Sequence, residues 1–319
     1  MINLENDNLL INKEVNQILE NILQTKVFSN GYIFYGPEGI GKKQTAIEFI
    51  KEIFIQDSSN SNIQEKIIDN NHPDFLLIEP TYVFKGNLIN SSEADSSKNK
   101  KATIRIEQIR NIKNFLAQKS IESGKKIVLI IDADLLNEAA SNCLLKTLEE
   151  PTNGLFILLT SRLSSLLGTI ISRCQLIRFK SFSYKQLEIF IKNNTDDSIL
   201  NNEEKVNLED LIYSANGSPG KILKNIKMWN ELPNEIKDNL SFPLMNNLEI
   251  LKVSKIIAEE LVLDQQIFLV NLMQKKCWET AKNKKIIKTL EKLKIHLMNF
   301  TQPRLAWEVS LLKIANEDL

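Results

Sequence analysis

The amino-acid sequence predicts an α/β fold built on a central parallel sheet and continued by a wholly helical second half. Three observations carry that prediction. Continuous apolar runs of strand length recur, as in "GYIFYG", "FLLI", "KKIVLIID" and "GLFILLTSR", and unbroken apolar strands are those buried on both faces of a sheet. Segments with apolar residues at three- and four-residue spacing lie between those runs. From "SYKQLEIFIKNN" onward the strand pattern stops and helical spacing alone remains.

Taken in order, "NKEVNQILENILQ" places Val15, Ile18, Ile22 and Leu23 at helical spacing and predicts the first helix. The strand "GYIFYG" follows and runs into the glycines of "GPEGIGKKQT", after which "QTAIEFIKEIF" reads as a helix. The polar stretch "QDSSNSN" leads to the buried strand "FLLI", ended by Pro80, and "NSSEADSSKNKK" reads as a loop. In "IRIEQIRNIKNFLAQKS" the residues Ile106, Ile109, Ile112 and Phe115 stand three apart, predicting a helix before the strand "KKIVLIID". The helix "NEAASNCLLKTLEE" is stopped by Pro151, because proline cannot donate to a helical ladder. The strand "GLFILLTSR" completes a three-layer α/β unit over residues 1–178. Next, "LEDLIYSANGSPGKILKNI" is a helix pair with a glycine-proline break, within a small helical lid over 179–235. A carboxy-terminal helical domain over 236–319 accounts for the rest.

Composition excludes several classes of function. Apolar residues make up 43% of the 319, enough to give each region its own core. Lysine and arginine number 40 and aspartate and glutamate 40, so no bulk field draws the molecule onto nucleic acid, and any such contact is local. Cys143, Cys174 and Cys277 are an odd number at wide spacing and offer no disulfide framework. No apolar run approaches about 18 residues, and "MINLENDNLLINKE" lacks a basic region followed by an apolar core. A cytoplasmic protein without membrane contact is expected.

The stretch "GPEGIGKKQT" is the chemical centre of the sequence. Gly36, Gly39 and Gly41 let the backbone curl so that its N–H groups face a phosphate, and Lys42 stands where it would reach the β and γ oxygens. The next position normally supplies a hydroxyl that holds magnesium. Here it is Lys43, an ammonium with no lone pair to offer. Thr45 lies two residues further round the helix. At the end of "KIVLIID" the run is Asp132, Ala133, Asp134, with no glutamate after Asp132 to position water. Asp132 is open to two readings, an acidic site residue or a polar residue ending a strand or capping the next helix. Hydrolysis by this chain is not expected on either.

Several stretches together, "YGPEGIGKKQTA", "HPDFLLIEP", "IRIEQIRNIKNFL", "GKKIVLIIDADLLNEAASNCLLKTLEEP" and "TIISRCQLIRF", closely resemble the delta-prime subunits of bacterial DNA polymerase III clamp loaders, a group within the AAA+ P-loop class. They run from about residue 31 to 179 in the family's order. The pairing of "LLKTLEEP" with a following "ISRC" marks clamp-loader subunits, and "HPD" before "EP" points to delta-prime rather than to the ATP-hydrolysing gamma/tau kind. Registered on "NEAASNCLLKTLEEP", the resemblance puts Ile131 at the family's metal-binding aspartate and Asp132 at its glutamate. Members of the family commonly carry four cysteines before "HPD"; residues 52–71 hold none, so no zinc site is expected, and His72 is assigned to a turn or cap.

The resemblance implies an AAA+ module with a central parallel sheet, a small helical lid and an all-α collar that joins other subunits. It implies that Ser172, Arg173 and Cys174 form the family's "SRC" triplet, in which Arg173 is an arginine finger for a neighbouring subunit's ATP site. Thr160 and Ser161 fall where a polar sensor residue stands, and Lys221 falls at or near the second sensor, where it either touches a phosphate or is a solvated residue at a helix start. The implied function is a non-hydrolysing platform subunit in DNA replication that requires no cofactor, with ATP at most held passively. The implied partners are loader subunits of the gamma/tau and delta kinds and, through the assembled loader, a sliding clamp and primed DNA. An active gamma/tau-type ATPase using its own loop is the alternative.

Overall fold

The computed structural model describes residues 12–57, 63–84, 87–90, 102–150, 154–194, 208–238, 247–280, 282–299 and 302–317. Of the polar stretch 56–62 and the loop expected over 90–101, residues 56–57 end a helix, Asn90 ends a strand, and 58–62 and 91–101 lie outside the described residues. The chain divides into two compact units, Met1–Phe182 and Ser183–Leu319.

The first unit carries α1 (Lys13–Thr25), β1 (Gly31–Tyr35), α2 (Lys42–Asp57), α3 (Ile63–Ile68), β2 (Phe75–Ile78), β3 (Thr81–Phe84) and β4 (Asn87–Asn90). It continues through α4 (Ile106–Ala117), β5 (Lys126–Ile130), α5 (Glu138–Glu149), β6 (Gly154–Thr160), α6 (Gly168–Ile171) and β7 (Gln175–Arg178). Five strands form one sheet in the order β2-β5-β6-β1-β7, and every pairing in it is parallel. Every residue of β5 and β6 is buried, as expected when helices cover both faces. Side chains alternate across the sheet. Ile33, Val128 and Phe156 join one core with Ile109 and Ile112 of α4 and Leu144 of α5. Tyr32 and Phe34, which point the other way, meet Phe49 of α2 at ring-centre distances of 5.9 and 6.5 Å.

Three local expectations change. In α1 the buried positions are Val15, Leu19, Ile22 and Leu23, while Ile18 is exposed, because the stripe facing the core follows the 3.6-residue turn from Val15 to Leu19. The sequence pattern does not mark the strand β7; its exposed residues dilute the apolar run that marks a central strand, as suits the edge of the sheet. The antiparallel pair β3 and β4 is a further addition to the elements the sequence predicts, although Thr81, Tyr82, Val83 and Phe84 are residues that favour strands.

The "HPD" turn is an anchor. His72 stacks on Phe54 with ring centres 4.3 Å apart, and its Nδ1 accepts from the Asp74 N–H at 3.1 Å. Asp74 is fully buried and accepts from the N–H groups of Ile121, Glu122 and Ser123 at 2.8 to 2.9 Å and from the Ser123 hydroxyl at 3.0 Å. Burial alone would raise that carboxyl; the donors from Ser123, Ile121 and Glu122 hold it below its ordinary value. One carboxylate thus ties the turn before β5 to the turn before β2.

The second unit is helical throughout its described residues: α7 (Tyr184–Asn194), α8 (Leu208–Ser214), α9 (Pro219–Glu231), α10 (Asn234–Asp238), α11 (Asn247–Glu260), α12 (Leu263–Thr280), α13 (Lys284–Met298) and α14 (Pro303–Glu317). The break between α8 and α9 is made by Asn216 and Gly217 at positive φ, then Ser218 as N-cap and Pro219 in the first turn. Trp307 is fully buried and donates from Nε1 to Gln266 at 3.0 Å. Lys275 and Asp210 form a nearly buried ion pair at 2.5 Å. Among the described residues no helix is long and apolar enough to cross a membrane.

Candidate functional site

In an open parallel sheet, ligands sit outside the carboxyl ends of the strands where the strand order reverses. Here β1 lies between β6 and β7, and the glycine loop leaves its carboxyl end. The loop is fastened on both sides. The Gly36 N–H donates to the Thr160 carbonyl at 3.3 Å, and the Phe179 N–H donates to the Tyr35 carbonyl at 2.8 Å. Gly36, Gly39 and Gly41 all have positive φ, at 150°, 72° and 95°. At Gly36 space is decisive as well, since a Cβ there would stand 2.3 Å from the Phe179 carbonyl oxygen. At Gly41 a Cβ would meet nothing within 4 Å, so only its backbone conformation asks for glycine.

The two lysines take different roles. Lys42 turns back on the loop, donating from Nζ to the Gly36 and Pro37 carbonyls, each at 2.6 Å. Lys43 points elsewhere and pairs with Glu79, just past β2, at 3.2 Å. The Thr45 hydroxyl is engaged with the Gly41 carbonyl at 3.1 Å, a backbone bond within the first turn of α2. No hydroxyl therefore stands at the position next to Lys42.

After β5, Asp132 adopts a left-handed conformation with φ 49° and makes no side-chain capping bond. Although the residue is exposed overall, desolvation first, and then the negative charges of Asp134, Glu38 and Glu79, hold its carboxyl above its ordinary value, with Lys42 pulling it down. Asp134 stands in the acidic run of the sequence without a role assigned from it. Its Oδ2 accepts from Arg162 Nε and Nη2 at 3.0 and 2.9 Å, and its Oδ1 accepts from the Thr160 hydroxyl at 2.9 Å. The Arg162 N–H in turn donates to that hydroxyl at 3.0 Å. Thr160 is thus fixed by an Asp134–Arg162 fork beside the loop. The alternation of "DAD" and the arginine two residues beyond Thr160 were its signals, but neither has helical or strand meaning alone. Among the described residues, no three His, Cys, Asp or Glu side chains are grouped to hold a metal ion.

The "SRC" triplet lies away from the loop lysines in sequence and at the carboxyl end of α6. Ser172 caps that helix and donates its hydroxyl to the Thr169 carbonyl at 3.1 Å. Arg173 is exposed; it donates to the Thr169 carbonyl at 3.0 Å and pairs with Glu149 at 2.6 Å. Cys174 packs inward, where burial pushes its thiol up to about 11. A Cβ on Gly31 would stand 2.7 Å from its sulfur. Lys221 stands in the first turn of α9 in the second unit, where its N–H meets the Ser218 hydroxyl at 3.3 Å.

Comparison with known proteins adds the following. A family model described as "DNA polymerase III, delta subunit" matches residues 11–183. A second, described as "Cyanobacterial DNA polymerase III delta prime, C-terminal domain", matches residues 188–314. The chain is similar to DNA polymerase III subunit delta' of Bacillus subtilis, 31% identical over 180 residues, which are 54% of this chain and 49% of that protein. It is 32% identical over 153 residues to the delta' subunit of Pseudomonas aeruginosa, covering 46% of this chain and 42% of that one. Subunit tau of Bacillus subtilis is 29% identical over 206 residues, 64% of this chain and 34% of that protein. The chain thus spans about half the length, or less, of the curated relatives it matches. A solved Thermotoga maritima DNA polymerase III gamma subunit-related protein aligns over 94% of this chain and 99% of its own, with a TM-score of 0.49 and 17% identity.

Proposed function

The chain belongs to the family described as DNA polymerase III, delta subunit, and from that premise we propose that it serves DNA replication as a clamp-loader subunit that does not hydrolyse ATP. In this reading it is a platform within the loader, assembled in the cytoplasm with subunits of the gamma/tau and delta kinds. It acts on a sliding clamp and primed DNA through that assembly. A helical lid over 179–235 and a collar over 236–319 divide the second half, and Arg173 completes the ATP site of a neighbouring subunit. The chain needs no zinc or other cofactor, and any nucleotide at its own loop is held without turnover.

The observation that carries the reading is the condition of the two loop lysines. Lys42 is held by the loop's own carbonyls, and Lys43, in the place of the magnesium hydroxyl, is drawn off to Glu79. A phosphate would find backbone donors there, but magnesium would meet an ammonium in place of a ligand. Thr160 and the Asp134–Arg162 fork brace the strand end beside the loop.

Magnitudes favour Arg173 as a donor across an interface. Its pair with Glu149 is exposed on both sides, and such pairs are worth about 1 kcal/mol or less. A guanidinium placed on a γ-phosphate in trans accelerates transfer on the order of a thousandfold or more, about 4 kcal/mol. Glu149 therefore parks the side chain without competing with a phosphate for it.

The test is a loader reconstituted from this chain and its gamma/tau- and delta-type partners. Arg173→Ala is expected to leave assembly intact and to lower DNA- and clamp-stimulated ATP hydrolysis on the order of tenfold or more. Unchanged hydrolysis removes the finger. Magnesium-dependent ATP turnover by the isolated chain would instead establish the active-ATPase alternative.

A further inference from the structure

The second unit presents a groove of about 710 Å³ between α13 and α14, and its lining has a marked chemistry. On α13, Lys285, Lys288 and Lys292 recur at helical spacing along one wall. On α14, Leu305, Val309 and Lys313 recur every four residues along the other. Among the described residues the lining includes no aspartate or glutamate, and no ion pair joins any of those four lysines to a carboxylate. Leu305 is 55% exposed and Val309 44% exposed, although α14 buries Trp307, Leu311 and Ile314 on its opposite side. A continuous stripe of positive charge thus borders an aliphatic strip that nothing in the described unit covers.

Two macromolecular occupants suit a row of lysines, and the lining separates them. Single-stranded nucleic acid pairs a basic track with aromatic rings on which bases stack, and no Phe, Tyr or Trp lines this groove. Phosphates also leave Leu305 and Val309 without a purpose. An amphipathic helix uses both features, laying apolar residues at three- and four-residue spacing on the aliphatic strip and its acidic flank on the lysines. From Lys285 to His296 the stripe runs roughly 16 Å, about three helical turns.

We propose that the α13–α14 groove is a docking site for an acidic amphipathic helix of another protein, with Lys285, Lys288, Lys292 and Lys313 holding its carboxylates and Leu305 and Val309 its apolar face. The site is independent of Arg173 and of the glycine loop, so its test and theirs fail separately.

Three probes are titrated into the full chain by fluorescence anisotropy. One is a labelled peptide of about 15 residues with leucines at helical spacing and glutamates on one flank; the second has lysine for each glutamate; the third is a single-stranded oligonucleotide of similar length. The acidic peptide is expected to bind, more weakly as salt rises, and the basic peptide not to bind. The double substitution Lys288→Glu with Lys292→Glu, and separately Leu305→Ser with Val309→Ser, each weaken that binding on the order of tenfold. All four positions line an open groove, and an unchanged thermal transition shows that each variant is folded. No binding of the acidic peptide overturns the proposal. So does equal binding of both peptides, or oligonucleotide binding that the charge reversal abolishes while the acidic peptide is ignored. Sedimentation of the chain alone closes the last possibility: a dimer lost in both double variants would make a second copy the occupant and refute the proposal.

Discussion

Replacing Asp74 by asparagine keeps the size of the side chain and removes one charge, which makes it the sharpest probe of the first unit. The carboxylate is 0% exposed and takes four donors: the N–H groups of Ile121, Glu122 and Ser123 and the Ser123 hydroxyl. An amide oxygen can keep the donors now on Oδ2. The amide nitrogen then faces the Ile121 N–H, donor against donor. A hydrogen bond to a charged acceptor is worth about 1 kcal/mol more than one to a neutral acceptor, so four donors give roughly 4 kcal/mol. Removing a buried charge returns about 1 to 2 kcal/mol. The net loss is about 2 to 3 kcal/mol, or roughly 5 to 10 °C for the thermal transition of a unit this size. Circular dichroism through thermal unfolding reads it. The pH dependence has a definite sign. Because the folded carboxyl lies below its ordinary 3.8, its contribution is complete above that pH and is lost as pH falls through the lower folded value. The gap between the two proteins is therefore constant near neutrality and closes in strong acid. His72 titrates in another window: burial lowers it below 6.5, so stability in both proteins declines as pH falls beneath that value. A change under about 2 °C at neutral pH for Asp74→Asn would refute the account of this turn as an anchored carboxylate.

Three other expectations follow from contacts of comparable definition. Gly36→Ala, which drives a Cβ to 2.3 Å from the Phe179 carbonyl at φ 150°, should destabilise by about 3 kcal/mol or more, whereas Gly41→Ala, strained but in open space, should lose about 1 kcal/mol; urea unfolding of both variants checks the order. Gly31→Ala meets the Cys174 sulfur at 2.7 Å, and a second substitution, Cys174→Ala, should restore most of the loss, read as a favourable coupling of about 1 kcal/mol in a double-mutant cycle. Asp210→Asn leaves the Lys275 ammonium nearly buried, with the exposed Glu279 at 3.4 Å as its carboxylate partner and the Tyr213 ring 5.0 Å away, and calorimetry should show the second unit weakened by about 2 to 4 kcal/mol.

Much of this protein is written locally. The strands of the sheet core, the helices α4 and α5, the end of α5 at Glu149 and the turn at Gly217 and Pro219 were legible because each depends on periodicity or on the backbone range of single residues. The glycines of the loop and the lysine in the hydroxyl's place were legible for the same reason. The edge strand β7 and the β3–β4 pair were not, because β7, Gln175–Arg178, buries only Ile177 and shows no apolar run, and a hairpin is stabilised across its partner. What only the tertiary structure decided is which groups meet across the chain. Lys43 finds Glu79, 36 residues away, and Asp134 finds Arg162, 28 residues away. Asp74 gathers donors 47 to 49 residues away. Those pairings follow from the order β2-β5-β6-β1-β7, which brings together the carboxyl ends of distant strands for Lys43–Glu79 and Asp134–Arg162, and the amino ends of β2 and β5 for Asp74. Sequence determines the strands one at a time through side-chain pattern; their order is set by how helices of given length and face can cover the sheet, a property of the packed whole.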